Sequence, residues 1–159
     1  MTNTCGKHRF DIVLDLEAPI ETCYEACYRE EHMAHWVPRH KSVVYDQSGA
    51  QIPYGPGSSR LVTQTSGNTL REHIVQTNKP QGMVYAIYTF GKPMDWLVHN
   101  YQGHIWFEPI SADRTRLIWS IHYDLRGPGK PLAPLLQAAF KKLIGGMCRT
   151  IQKYIATLP

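Results

Sequence analysis

The sequence lacks the long apolar runs and blocks of like charge that mark membrane-spanning and nucleic-acid-binding chains. No stretch approaches the ~18 to 20 apolar residues that a membrane span needs. The first ten residues, MTNTCGKHRF, have no apolar run of a signal peptide. The net charge of +4 is mild, and no lysine/arginine run interleaved with aromatics occurs. We therefore expect a cytoplasmic protein that neither inserts into a membrane nor binds nucleic acid.

Cysteine pairs and the common catalytic signatures are missing as well. None of the four cysteines forms a C-x-x-C pair, so we expect reduced thiols. The sequence contains no glycine-rich phosphate loop, no Ser-His-Asp order and no paired-carboxylate arrangement. We therefore expect no cofactor.

A group of histidines near the second helix suggests a metal site at first sight. Cys27, His32, His35 and His40 lie close together in the sequence. Their thiol and imidazole groups lack a recognised zinc spacing, and a surface histidine cluster explains them better. We therefore expect no bound metal.

What the sequence does contain is a clear succession of hydrophobic patterns. Residues 8–16 alternate as a half-buried strand does, and residues 19–36 carry apolar side chains at helical spacing. From residue 41 onwards six strand-like segments are separated by short turns such as YGPG and KPQG, which require antiparallel neighbours. An apolar stripe from Leu132 to Leu158 then predicts a helix of roughly 25 residues, about 37 Å long. We expect residues 1–159 to form a single domain.

This order of elements resembles the START-like (SRPBCC) superfamily, the helix-grip fold of the birch-pollen allergens, over about residues 8 to 157. The segments that carry the resemblance are HWVP, GPGSSRLV, SGNTLREHI, NYQGHIWFEP and RTRLIWSIHY. The chain is most similar to the subfamily of polyketide cyclases/dehydrases and lipid transport proteins. The resemblance implies an α+β fold in which a curved seven-stranded antiparallel sheet wraps around a long C-terminal helix. Two short helices follow the first strand, and a cavity lies between the sheet and the long helix.

Two stretches, RLVTQTSGNTLREHI and HNYQG, also resemble the gate and pocket strands of the plant abscisic-acid receptors. Arg60, Glu72 and Tyr101 match positions in that pocket. The leucine-proline of the receptor gate is absent, and Asn68 and Thr69 stand in its place. The resemblance therefore implies a pocket position for the three side chains and no signalling role.

Strand alternation predicts which side chains face the cavity. On the sixth strand His99 and Tyr101 share a face with apolar Ile105, and on the last strand Trp119 and Tyr123 share the apolar face. We therefore expect His99, Tyr101, Trp119 and Tyr123 to point inward.

Which side chains of the third and fourth strands face the cavity depends on the register between the two strands. Ile74 should place Glu72 inward. Arg60, Val62 and Gln64 join Glu72 if the hairpin loop has an odd number of residues, whereas an even loop would point Leu61 and Thr63 inward. The receptor resemblance favours Arg60 inside. An inward Arg60 and Glu72 would then pair, because unpaired buried charge is costly. That pair either shapes the cavity or recognises a ligand.

The segment LIGGM places two glycines in the last helix, where each is destabilising by roughly 1 kcal/mol relative to alanine. One interpretation is that Gly146, beside Met147, leaves space beneath a helix that covers a cavity. The other is that glycine permits a close helix–sheet approach. The sequence does not decide between them.

These features predict a protein that binds a small, largely apolar, aromatic or polyketide-like molecule. We expect a cofactor-independent polyketide cyclase or dehydratase with Glu72, His99 and Tyr101 as acid/base groups. The alternative is a non-catalytic carrier or sensor of a lipid or hydrophobic metabolite. A homodimer is compatible with the sequence, which does not determine the oligomeric state. The expected ligand contacts are Arg60, Val62, Gln64, Ile74, Tyr101, Trp119, Tyr123, Gly146 and Met147.

Overall fold

The computed structural model describes residues 5–158, and in this part of the chain seven strands form one antiparallel sheet. The strands are β1 (His8–Leu16), β2 (His40–Asp46), β3 (Ser59–Gln64), β4 (Thr69–Asn78), β5 (Gly82–Thr89), β6 (Val98–Ser111) and β7 (Arg114–Leu125). The helices are α1 (Ile20–Tyr28), α2 (Glu30–Trp36), α3 (Met94–Leu97) and α4 (Ala133–Ile155). The predicted helix-grip fold is confirmed, with the short α3 as an addition.

The sheet is a meander that ends in one long-range pairing. Its strand order is β1-β7-β6-β5-β4-β3-β2, so β2 to β7 follow one another and β1 is added beside β7. The β1–β7 register runs from His8 opposite Tyr123 to Leu16 opposite Thr115. Each neighbouring pair from β2 to β7 is antiparallel. The two edges of the sheet are therefore β1 and β2.

Helix α4 lies along the concave face of the sheet. Its buried side chains recur at intervals of three and four residues, which is the spacing of one helical face: Leu136, Phe140, Ile144, Cys148, Ile151 and Ile155. Leu132, Leu135 and Leu143 are 40–67% exposed, so the buried stripe is narrower than the sequence pattern predicts. A 3-10 turn, Gly127–Leu132, precedes the helix.

Helices α1 and α2 close one end of the sheet. The indole nitrogen of Trp36 donates to the carbonyl oxygen of Ala26 at 2.8 Å, which ties the two helices together. The Trp36 ring meets Trp119 of β7 edge-on, with centroids 6.2 Å apart. Helix α2 ends before Pro38, because the residue preceding a proline avoids the helical conformation.

The two glycines of α4 lie away from the sheet. A Cβ added at Gly146 would meet no atom within 4 Å, and one added at Gly145 would meet only the Arg149 guanidinium, at 3.7 Å. Gly146 stands roughly 120° around the helix from Phe140, which points to the sheet. Both interpretations of LIGGM are therefore wrong: Gly146 neither opens space beneath the helix nor permits a tight contact with the sheet.

None of the helices within residues 5–158 combines the length and the apolar character needed to cross a membrane.

Candidate functional site

A cavity of about 370 Å³ lies between the concave face of the sheet and α4. Its walls come from α2, β3, β4, β5, the β5–β6 connection, β6, β7 and α4. Apolar side chains dominate the walls and include Val62, Leu70, Ile87, Phe140, Ile144 and Met147. A space of this size and character matches the pockets that proteins use for small organic ligands.

The buried end of the cavity holds an ion pair between β3 and β4. Arg60 and Glu72 are register partners, and five residues separate the last paired positions of the two strands, Thr63 and Thr69. The hairpin loop is therefore odd, and the predicted inward position of Arg60 is confirmed. Nε and Nη2 of Arg60 both contact Oε2 of Glu72. Both side chains are nearly fully buried.

The third guanidinium nitrogen of Arg60, Nη1, also has polar partners. Its Nη1 donates to the Tyr45 hydroxyl and contacts the Met33 sulfur, both at 2.9 Å. Burial alone would lower the pKa of Arg60, but the Glu72 carboxylate and the Tyr45 hydroxyl raise it above its ordinary value. The guanidinium is thus permanently charged and held in place from several sides.

Tyr85 covers the ion pair from β5. The guanidinium carbon of Arg60 lies 5.5 Å from the centroid of the Tyr85 ring. The Tyr85 hydroxyl accepts a hydrogen bond from the indole nitrogen of Trp119 at 3.2 Å. Gly103 of β6 makes this arrangement fit, because a Cβ there would lie 2.1 Å from the Tyr85 ring. A glycine is required at this close approach.

Tyr101 lies beside Tyr85 on the cavity wall. Burial raises the pKa of Tyr101 well above its ordinary value, and the neighbouring Tyr85 and Glu72 act in the same direction. The Tyr101 hydroxyl is therefore protonated at neutral pH and can donate a hydrogen bond. Its ring is fixed by Phe90 and Phe140, with centroids 5.1 and 5.6 Å away.

The mouth of the cavity is formed by two loops and α4. A Cβ at Gly91, in the β5–β6 connection, would contact the side chain of Asn68 in the β3–β4 turn, at 3.5 Å. Three residues here are exposed and also line the cavity: Asn68, Lys92 and, on α4, Leu143. Polar groups therefore stand at the mouth and at the buried end, with apolar walls between them.

His99 does not face this cavity, and its predicted position beside Tyr101 is wrong. Between His99 and Gln102 the β6–β7 register shifts by one residue, and Asn100 has a φ of 49°. The extra residue of this β-bulge breaks the alternation, so Tyr101 points inward while His99 is exposed. His99 borders a separate, smaller pocket together with Asp95 and Arg126.

Three other expected contacts are also corrected. Ile74 and Tyr123 are buried, but neither lines the cavity. Tyr123 instead stacks on His8 and meets the edge of Phe140, each with centroids 5.1 Å apart. Gly146 does not line the cavity either. The expected positions that do line it are Arg60, Val62, Gln64, Glu72, Tyr101, Trp119 and Met147.

Sequence reasoning missed several side chains of the cavity. Tyr85 and Ile87 share the inward face of β5, and strand alternation in GMVYAIYTF was a signal that could have placed them there. Met33 and Trp36 reach the cavity from α2, and Gly91 and Lys92 reach it from a loop. No local pattern reveals these last four, because helix and loop positions depend on packing over the whole chain.

The histidines around α2 have other partners. Nδ1 of His32 lies 2.6 Å from the Tyr154 hydroxyl, and His35 stacks on the Tyr154 ring with centroids 4.7 Å apart. Nδ1 of His40 lies 2.6 Å from the carbonyl oxygen of Val37, and Cys27 is fully buried. Among the described residues these four side chains do not form a metal-binding group.

Comparison with protein families decides the family of this chain. The model of the family described as polyketide cyclase/dehydrase and lipid transport matches residues 7–155. The chain belongs to this family. The predicted resemblance is thereby confirmed, and family and fold together indicate hydrophobic ligand binding. The comparison with curated protein sequences gives no match.

Solved structures support the same fold. Ara h 8.0201 superposes with a TM-score of 0.74 at 16% identity, covering 95% of this chain and 99% of that one. A START superfamily protein from Mycobacterium smegmatis gives 0.74 at 13% identity, covering 96% and 99%. Norcoclaurine synthase from Thalictrum flavum, in complex with dopamine and hydroxybenzaldehyde, gives 0.71 at 15% identity, covering 96% and 88%. At these identities the similarity shows the fold alone.

Proposed function

We propose that the protein binds a small, planar, largely apolar ligand that carries a polar group at its buried end. The observation that carries this proposal is the cavity of about 370 Å³, whose apolar walls lead to Tyr101 and the Arg60–Glu72 pair. Trp119 and Phe140 offer ring faces and edges to an aromatic or polyketide-like skeleton. Tyr101 donates to a carbonyl, hydroxyl or acidic oxygen of the ligand, because its hydroxyl is protonated.

A fluorescent probe tests the binding site. The probe is 1-anilinonaphthalene-8-sulfonate, a planar aromatic anion whose emission rises in an apolar environment. We expect saturable binding to the wild-type protein and a loss of at least tenfold in affinity for Val62→Trp, which fills the cavity from β3. Ala139→Trp at the mouth is a second blocking variant, and His99→Ala is the control outside the cavity. Unchanged binding in both tryptophan variants would show that the probe does not enter the cavity.

The role of Tyr101 is tested with the same probe. Tyr101→Phe keeps the ring and removes the hydrogen-bond donor. We expect the affinity to fall roughly 2- to 12-fold, the equivalent of about 0.5–1.5 kcal/mol for one hydrogen bond. An unchanged affinity would contradict the donor role, and thermal melting would show whether the fold is retained.

Catalysis as a cyclase or dehydratase is the second candidate function. It is favoured by the presence of Glu72 and Tyr101 in one cavity, since the carboxylate can accept a proton and the hydroxyl can donate one. Both contacts of Arg60 are to Oε2 of Glu72, so an acid/base step would use Oε1. His99, the third expected acid/base group, takes no part in this candidate mechanism.

Native mass spectrometry of the purified protein separates the two functions. A co-purifying molecule that stays unchanged during incubation supports a carrier or sensor. Conversion of that molecule supports an enzyme, and Glu72→Gln, assayed under conditions in which circular dichroism shows it to be folded, should then lower the rate by about 100-fold or more while the molecule still binds. Conversion at an undiminished rate in Glu72→Gln would contradict the catalytic role of Glu72.

A further inference from the structure

A second cluster of chemically active side chains lies on the convex face of the sheet, opposite the cavity. Cys5, His104 and His122 bring one sulfur and two ring nitrogens within 4.8 Å of one another. His104 and His122 come from the neighbouring strands β6 and β7, and their ring centroids are 4.7 Å apart. Cys5 comes from the segment that precedes β1. These residues take no part in the proposed ligand site.

The distance between Cys5 and His104 suits a tetrahedral metal ion. Sγ of Cys5 lies 3.8 Å from Nε2 of His104. Zinc–sulfur bonds of about 2.3 Å and zinc–nitrogen bonds of about 2.0–2.1 Å place such ligand atoms about 3.6 Å apart around a tetrahedral zinc ion. The sulfur and nitrogen therefore need to move by only a few tenths of an ångström.

Neighbouring groups complete the arrangement. Oε1 of Gln102, a buried residue, lies 3.5 Å from Sγ of Cys5 and 3.3 Å from Nε2 of His104, where it or a water can supply a fourth ligand.

Close approach of the chain brings Cys5 to the two histidines. A Cβ at Gly6 would lie 2.3 Å from the backbone of Tyr123, so only glycine lets the segment pass over β7 here. The backbone nitrogen of Lys7 then donates to Asp124 at 2.8 Å, which anchors the segment. Arg9 is a cation close to the cluster. Its guanidinium makes two contacts with the Asp11 carboxylate, at 3.2 and 3.3 Å, and therefore points toward that carboxylate.

We propose that Cys5, His104 and His122 form a binding site for a zinc-class divalent metal ion. Thiolate and imidazole ligands select zinc and its transition-metal neighbours over magnesium and calcium, which prefer oxygen. The site lies outside the cavity, so it neither depends on the proposed function nor supports it. The sequence-based expectation that the protein binds no metal rested on the histidines around α2, and the proposed site on the convex face departs from that expectation.

Titration with Zn²⁺ and Co²⁺ tests this site on the full chain, purified with a chelator and kept reduced. We expect one ion per chain by calorimetry and, with Co²⁺, an absorption band from thiolate-to-cobalt charge transfer. Cys5→Ser should abolish that band. Cys5→Ser, His104→Gln and His122→Gln should each lower the affinity by about tenfold or more. His73→Gln, on β4 outside the cluster, is the matched control and should bind the ion as the wild type does.

Thiol alkylation gives a second measurement. Cys5 is exposed while Cys23, Cys27 and Cys148 are buried, so iodoacetamide should modify Cys5 first, and Zn²⁺ should slow that reaction. Circular dichroism shows whether each variant is folded. The proposal is overturned if the wild type shows no saturable binding, or if the three variants bind as the wild type does. Loss of binding in His32→Gln or His35→Gln alone would place the metal at α2 and overturn it as well.

Discussion

At the scale of single residues, the Arg60–Glu72 ion pair is the main buried electrostatic interaction of the fold. Two charges are removed from water between β3 and β4, and the donors of Arg60 are directed to Glu72 and Tyr45. The free-energy cost of removing a charged pair from water is offset only if the geometry of the pair satisfies both partners. The pair therefore stabilises the fold only as long as both members are present.

Single substitutions at this pair should be strongly destabilising. We expect Arg60→Met and Glu72→Gln each to lower the free energy of unfolding by about 3–5 kcal/mol, because each leaves a buried group without its partner. The double variant should lose much less than the sum of the two. Urea denaturation of the four proteins measures this coupling.

A surface pair provides the control. Arg29 and Glu31 are about half exposed, with Nε and Oε1 2.9 Å apart, and Glu31→Gln should change stability by less than about 1 kcal/mol. Additive losses at Arg60 and Glu72 would mean that the two side chains do not interact energetically.

At the scale of elements, glycine has opposite meanings in α4 and in β6. Gly146 faces open space on the outer side of a helix, whereas Gly103 lies under the ring of Tyr85. Helix propensity determines the effect of a substitution on stability at Gly146, and steric contact determines it at Gly103. The same substitution therefore has opposite effects at the two glycines.

Alanine substitution separates these cases. Gly146→Ala should raise the free energy of unfolding by up to about 1 kcal/mol, because alanine favours the helix and reduces the freedom of the unfolded chain. Gly103→Ala should lower it by about 1–3 kcal/mol, because the methyl group displaces the Tyr85 ring. Thermal and urea unfolding measure both changes. A Gly146→Ala variant that is less stable than the wild type would contradict the open space around Gly146.

Periodicity predicts the elements well and individual positions less well. Strand alternation left the register of β3 open, because it could not tell an odd hairpin loop from an even one, and the receptor resemblance favoured Arg60 inside. The structure has the odd loop, with five residues between Thr63 and Thr69. Strand alternation gave the wrong position for His99, because a bulge at Asn100 adds one residue to β6. Nothing in the segment HNYQG marks this bulge. Cys5, His104 and His122 are separated by up to 117 positions along the chain, so no spacing rule could bring them together.

At the scale of the whole molecule, buried acids make the fold sensitive to alkali. Burial raises the pKa of Cys23 from 9.0 to about 11 and that of Cys148 to about 12. Burial also raises the pKa of Tyr24 from 10.0 to about 12, and it raises the pKa of Tyr101 well above its ordinary value. In the unfolded chain these groups lose their protons at lower pH than in the folded protein.

Stability should therefore fall as the pH rises above about 9. The folded state binds more protons than the unfolded state between the ordinary pKa of each group and its raised value, so the free energy of unfolding decreases with pH in that interval. We expect the melting temperature to drop steadily from pH 9 to pH 12. The tyrosinate absorbance of the buried rings should increase together with unfolding, as circular dichroism would show. Complete ionisation of all tyrosines in a still folded protein would contradict this.

The pairing of β1 with β7 has a consequence during synthesis on the ribosome. His8 meets Tyr123, so β1 finds its only sheet partner among the described strands after more than a hundred further residues are made. At about 5–20 residues per second this takes roughly 5–20 s. Throughout this time Phe10 and Leu16, which are buried in the finished protein, have no strand to cover them. The nascent chain is thus open to chaperones, and to mispairing with other chains, at β1.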